Sequence, residues 1–377
     1  MIKFKIIKNS KKSLARTGQI TTAHGKFQTP VFMPCATNGA VKGISPNELT
    51  NLGFEIILSN SYHLYLRPGE KEIKKMGGLQ KFMKWCKPIL TDSGGYQVFS
   101  LGKNFKEYDE KKSNHKTSLA KVNKEGVWFQ SHLDGIKHFF SPEKVIEIQK
   151  DLGSDIMMVL DECTEYPATK KRAKTSMEQT HAWAKQAIEY WQMFRNPSQS
   201  LFGIIQGSTY KDLREESAKY ISGLDFDGIA VGGVSVGEGK KHMYQVMKWV
   251  SDILPKDKPH YLMGVGEPED ILEAVKYGFD MFDCVLPTRL GRHGTVWVTS
   301  NWQNFKKIDL RKAKYRLDKK IIMKGCNCPA CKDGYSKSYI SHLIKSDEML
   351  GMRLASLHNL WILAELMRKI RQNVLKY

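Results

Sequence analysis

No run of this chain approaches the roughly 20 consecutive apolar residues needed to span a bilayer, which argues against a transmembrane helix. The first residues, Met1-Ile2-Lys3-Phe4-Lys5, alternate like a strand and lack the apolar core and small-residue cleavage site of a signal peptide. A cytoplasmic protein is expected. Cysteine is scarce: seven in 377 residues, an odd number and too few for a disulfide framework. Acidic residues are outnumbered, 39 against 59 Lys and Arg, which leaves a formal net charge of +20 and a pI near 9.5. Such an excess favours polyanions through counterion release and electrostatic steering, although a lysine-rich proteome would raise it too. No internal repeat and no low-complexity tail is visible. What remains, 41% hydrophobic and 26% charged, is the composition of an ordinary globular enzyme. The length suits one α/β barrel with an attachment as well as it suits two domains.

What the chain does have is rhythm. Eight short apolar runs recur at residues 30–34, 54–60, 88–92, 155–161, 201–206, 228–233, 261–266 and 281–283. Their continuous apolar character, without alternation, predicts strands buried on both faces, as in a parallel sheet. Amphipathic stretches lie between them, such as residues 141–152, with Ser141 as cap and Pro142 at the first position, and residues 175–194. This order predicts a (β/α)8 TIM barrel, with an open doubly wound sheet as the alternative. The runs end on Asn60, Asp92, Asp161, Gln206, Gly232-Gly233, Gly264 and Asp283. In a barrel those ends converge on one mouth. Asp92 opens directly into Ser93-Gly94-Gly95-Tyr96-Gln97, an acid followed by glycines where backbone can approach a ligand closely.

Two segments break the rhythm. Gly102 to Lys124 is polar, charged and long for a connection, and predicts a mobile loop or hairpin beside the site. From about Ile308 come a basic belt (Lys306, Lys307, Arg311, Lys312, Lys314, Arg316, Lys319, Lys320, Lys324), a cysteine cluster and one long helix. The expected division is a catalytic barrel over 1–307 and a small C-terminal zinc-binding subdomain over 308–377. Cys326, Cys328 and Cys331 offer three thiolates within six residues, three corners of a tetrahedral zinc site. The spacing leaves the fourth ligand open between His342 and His358. A closed site of this kind would be structural, with no position left for water.

The chain resembles a tRNA-guanine transglycosylase of the bacterial type over nearly its whole length. The matching segments are Ser59 to Gly69, Thr91 to Ser100, Leu152 to Asp155, Asp161-Glu162-Cys163-Thr164, Gly203 to Gly207, Gly232 to Glu238, Tyr261 to Gly266, Phe282 to Arg289 and the cysteine cluster. The resemblance implies an irregular (β/α)8 barrel with a zinc-bearing subdomain. It also implies exchange of the guanine at the wobble position of tRNA for a 7-deazaguanine, in queuosine biosynthesis. Asp283 would be the nucleophile on the ribose C1′ and Asp92 the general acid/base. Asp161, Cys163, Gln206, Gly233 and Val234 would line the base site, with Tyr96 and Met263 on the base's two faces. Asn60 and Gln97 would orient nucleophile and ribose, Arg289 and Arg292 would hold flanking nucleotides, and His358 would complete the zinc site. A homodimer is implied as well. The Asp161-Glu162-Cys163 signature resembles members that take 7-aminomethyl-7-deazaguanine, with free queuine as the close alternative.

Chemistry supports the same picture. Base exchange with retained configuration needs two in-line displacements, hence a carboxylate nucleophile beside a second acid. Taken alone, Asp161 reads more readily as a helix cap, Gln206 as a partner for buried backbone and Met263 as core. A non-catalytic partner subunit would lack Asp283, which is present. A plain glycoside hydrolase would favour sugar-stacking tryptophans at strand ends, yet Trp128, Trp183, Trp191, Trp249 and Trp361 read as helical or loop residues. Leu290 and His293 depart from the polar residues common in the family at those positions.

Overall fold

The computed structural model describes residues 1–97 and 120–376. The eight expected runs form one closed parallel barrel: Val31–Ala36, Ile57–Asn60, Ile89–Asp92, Ile156–Met158, Ser200–Ile205, Gly228–Val231, His260–Leu262 and Met281–Cys284. The last strand closes the ring on the first, with Met281 opposite Val31 and Asp283 opposite Met33. Nearly every strand residue is buried, because helices cover the outside and side chains fill the inside. Several runs are longer than the strands they contain. Residues 159–161, for example, continue past Met158 as a carboxyl-end extension that carries Asp161 to the mouth.

Capping chemistry sets the helix bounds. The Ser141 hydroxyl accepts from the Lys144 amide to start Pro142–Leu152, and Gly153 ends that helix in the left-handed region. The next helix, Lys170–Met193, begins earlier than the predicted 175 because Thr169 caps it by accepting from the Arg172 amide.

Two three-stranded sheets lie outside the barrel, anticipated in sequence only by the alternation at the N-terminus and the loop or hairpin expected over 102–124. Lys3–Asn9, Arg16–Thr22 and Gly25–Thr29 form an antiparallel sheet at the amino ends of the barrel strands. Buried Arg16 there donates to Asp280, just before the last strand, with a closest approach of 2.6 Å. Ala120–Asn123, Gly126–Gln130 and Lys137–Phe140 form the second sheet, on the carboxyl-end side. It places Trp128 on a strand, which corrects the helix-or-loop reading; Trp183 and Trp191 are buried on their helix. Of the loop or hairpin expected over 102–124, residues 102–119 lie outside the described residues, and 120–123 are the first strand of this sheet.

The C-terminal helix Met349–Asn373 packs on the helix Leu286–Arg292 that follows the last barrel strand. A Cβ on Gly291 would stand 2.5 Å from the Ser356 amide, so only glycine allows this close crossing. Buried Asn359 clamps the contact. Its amide donates to the Pro287 and Thr295 carbonyls, each at 3.0 Å, and its oxygen accepts from the Trp297 amide. No helix among the described residues is long and apolar enough to cross a membrane.

Candidate active site and metal centre

Asn60 and Asp92 end neighbouring strands and sit opposite one another in register. Asn60 also caps helix Ser61–Leu66, its Oδ1 accepting from the His63 amide at 3.1 Å. With that oxygen committed, its NH2 is aimed at Asp92 and donates to Oδ2 at 2.6 Å, while the Ser61 amide donates to Oδ1 at 3.2 Å. Burial is the main reason the Asp92 carboxyl is pushed up to about 7, and the negative charge of Asp283 adds to it against these donors.

Asp283 is the third residue of the last strand. Its Oδ1 accepts from the Tyr261 hydroxyl at 2.6 Å and the Gly264 amide at 2.7 Å. Among the described residues its Oδ2 has only the Cys35 thiol, at 3.5 Å. Burial raises the Asp283 carboxyl above its ordinary range, and these three donors pull it back. One oxygen is firmly held and the other is nearly free.

Across the mouth, Gln206 Nε2 donates to Asp161 Oδ2 at 2.6 Å, and burial pushes the Asp161 carboxyl up to about 6. Gln206 Oε1 is buried with no partner among the described residues. Gly233 adopts φ +61°, and a Cβ there would stand 2.3 Å from that oxygen. Buried Arg214 fastens the wall, donating to the carbonyls of Ser208, Ile205, Gly232 and Gly233 at 2.7, 3.2, 2.7 and 2.9 Å. Arg172 holds the adjoining Glu162 at 2.6 Å.

The remaining expected residues stand around this frame. Val234 is buried, and Cys163 and Met263 are half-buried. Tyr96 is 54% exposed and makes no ring contact among the described residues. Gln97 is half-buried, and its Oε1 is buried without a partner among the described residues. Arg289 is exposed and Arg292 half-buried on the helix that leaves the Asp283 strand; His293 follows in solvent.

Three residues had no assigned role in the sequence. Tyr261 stands two positions before Met263, and alternation along the strand puts both on the inner face, a signal that was available. Cys35 was only one of four thiols outside the cluster. Arg214 sits on the helix Lys211–Ser222, and nothing local distinguishes it from a solvent-facing arginine.

Residues 10–376 match the family described as queuine tRNA-ribosyltransferase. Proteins called queuine tRNA-ribosyltransferase from Caldanaerobacter subterraneus subsp. tengcongensis and Ruminiclostridium cellulolyticum are each 50% identical to this chain, over 99% of it and 93% and 94% of their own lengths. The one from Acetivibrio thermocellus is 49% identical over 100% of this chain and 94% of its own. The chain belongs to the queuine tRNA-ribosyltransferase family. It is an enzyme, a pentosyltransferase of the tRNA-guanine transglycosylase kind.

This ribosyltransferase also has a candidate metal centre. Cys326, Cys328, Cys331 and His358 are all buried, with their ligand atoms within 4.8 Å of one another. His358 Nδ1 lies 3.5, 3.3 and 3.7 Å from the three sulfurs in that order. On the other side of the ring, Nε2 stands 2.8 Å from the Trp297 carbonyl. A carbonyl can only accept, so Nε2 carries the proton and Nδ1 turns a lone pair toward the thiols. The amides of Cys328 and Cys331 point at the preceding sulfurs, each at 3.4 Å, which favours thiolates. His342, the other candidate, is exposed on helix Lys337–Lys345 and outside the group. The four donors form a closed set that could hold a metal ion.

Proposed function

We propose that this enzyme exchanges the wobble guanine of tRNA for 7-aminomethyl-7-deazaguanine through a covalent ribosyl-aspartate. The observation that carries the reading is the pair of strand-end carboxylates, Asp92 raised to about 7 by burial with the charge of Asp283 adding to it. The nearly free Oδ2 of Asp283 attacks C1′ as the bond from C1′ to the guanine breaks. Asp92 gives its proton to the departing purine and takes one back from the incoming base, which then displaces Asp283. Two displacements restore the original configuration, and no net proton is consumed.

Asp161 and Gln206 are the base-reading pair. A carboxylate accepts from the N–H groups of a guanine-like Watson–Crick edge, and the orphaned Gln206 Oε1 is an acceptor waiting for another donor. Gly233, Val234 and Cys163 line the pocket, and Tyr96 closes over the base opposite Met263. Asn60 and Gln97 hold the carboxylate and ribose, and Arg289 and Arg292 reach flanking phosphates or bases.

Zinc suits the metal centre. Tetrahedral bonds of about 2.3 Å to sulfur and 2.0–2.1 Å to nitrogen place those ligand atoms about 3.6 Å apart. The sulfur-to-Nδ1 separations of 3.3–3.7 Å match that spacing. Such an ion is structural and takes no part in base exchange, and we assign it to a subdomain over 308–377. A cytoplasmic homodimer completes the reading.

The test is incubation with radiolabelled guanine and a wobble-guanine tRNA. Label should enter the RNA with the wild type and not with Asp283→Ala, and a protein–RNA adduct stable to denaturation should form only with the wild type. No incorporation by the wild type, or equal incorporation by the variant, overturns the proposal. Competition between 7-aminomethyl-7-deazaguanine and queuine in the same assay decides which base is preferred.

A further inference from the structure

We propose that the outer face of the sheet formed by Ala120–Asn123, Gly126–Gln130 and Lys137–Phe140 is a stacking platform for an unpaired nucleobase of the RNA substrate. This rests on the tRNA reading above. In the register, Trp128 stands opposite Lys121 on one neighbouring strand and Phe139 on the other, and Gln130 stands opposite Lys137. With side chains alternating between faces, these five residues share one face. The opposite face is already occupied. Val127, Phe129 and Phe140 are buried, with Phe129 against Tyr62 at 5.3 Å between ring centroids and Phe140 against Tyr65 at 5.1 Å.

Packing therefore gives no reason for large aromatics on the outside. Yet Trp128 is 47% exposed and rests on the Phe139 ring, centroids 4.8 Å apart and planes tilted by 37°. Exposed Lys121 and Lys137 flank the pair, and none of the five residues is acidic. An aromatic surface between lysines recognises a flat base joined to a phosphate, and it does so without regard to sequence. The position fits that use. The sheet follows the strand that ends on Asp92, and it lies on Tyr62, two residues beyond Asn60. It is thus built onto the carboxyl-end side, where the ribose must enter. A protein partner would be served as well by an apolar patch without lysines, so charge complementarity favours RNA.

The test measures binding directly, as fluorescence anisotropy of an end-labelled tRNA titrated with full-length enzyme, alongside guanine exchange. Trp128→Ala should raise the tRNA Kd five- to fifty-fold, within the range one lost base stack spans. Guanine KM and kcat at saturating tRNA should stay within twofold, and Trp128→Phe should restore most of the affinity. Lys121→Gln with Lys137→Gln should reduce the slope of log K against log salt by about 1 to 2. An unchanged tRNA Kd for a Trp128→Ala protein of wild-type circular dichroism overturns the platform. So does a change confined to dimer content in sedimentation, which would make this face a contact between copies. A wild type that binds tRNA but exchanges no guanine would sink the substrate reading, while the anisotropy of Trp128→Ala still decides the platform.

Discussion

Burial lifts the Asp92 carboxyl from an ordinary 3.8 to about 7, so between those values the folded chain holds a proton that the unfolded chain has lost. The sign follows from linkage. Stability linked to this group is fully present below pH 3.8 and is lost as pH rises through 7, a span worth on the order of 4 kcal/mol. Asp92→Asn removes that loss. It also sets an amide NH2 against the Asn60 NH2, which costs about 1 kcal/mol because the Asn60 oxygen is committed to its helix cap. The variant should therefore be about 3 kcal/mol more stable than wild type at pH 8, with no advantage below pH 4, while base exchange falls at least a thousandfold. Urea unfolding at both pH values checks this. Equal stability at pH 8 would mean that Asp92 carries no buried charge. A buried acid that destabilises its own fold at neutral pH is what the role proposed for Asp92 would require.

Elements differ in how plainly they could be read, and the reason is what surrounds them. Barrel strands were legible because burial on both faces writes an uninterrupted apolar run, and their ends were legible because an acid or glycine stops it. The Ala120–Phe140 sheet was not, since one face packs on Tyr62 and Tyr65 and the other meets solvent, and its strands span only four or five residues. Alternation with Met263 could have placed Tyr261 on the inner face, but within an apolar run nothing marked its hydroxyl as more than core. Arg214 hid because its four carbonyl partners come from two different strand ends. Ligand choice at the cysteine cluster needed three dimensions, as His342 and His358 are both near enough in sequence and only one faces the sulfurs. The cluster is also tied to the chain before it, through Trp297 and Asn359. If the cluster holds one zinc per chain as proposed, a strong chelator or His358→Ala should lower that content. Amide exchange protection should fall first at 326–345 and around 358, with the barrel strands protected far longer. Uniform loss across the chain would show that the barrel depends on the metal too; no loss would make the site incidental.

For the whole molecule, a charge of +20 has two readings with different consequences. If the excess is a lysine-rich background spread evenly, it does little beyond keeping the protein soluble. If it is placed to meet RNA, binding must release counterions. The belt from Lys306 to Lys324 favours the second. All nine of its cations are exposed, and Lys307 and Arg311 are drawn to Glu267 and Asp309. The belt begins on Lys306–Asp309, the strand paired with Thr295–Val298, which in turn follows the helix bearing Arg289 and Arg292. Two basic groups therefore follow the Asp283 strand in sequence, Arg289 with Arg292 and then the belt, separated by residues 293–305, which hold no Lys or Arg. If about five phosphates are met, tRNA affinity should fall by roughly a hundredfold or more between 50 and 200 mM salt. Guanine is uncharged, so its KM should stay flat over the same range. Charge reversal in the belt, with Lys312→Glu and Lys319→Glu together, should flatten the tRNA slope without changing guanine KM. A tRNA affinity indifferent to salt in the wild type would return the charge to mere background.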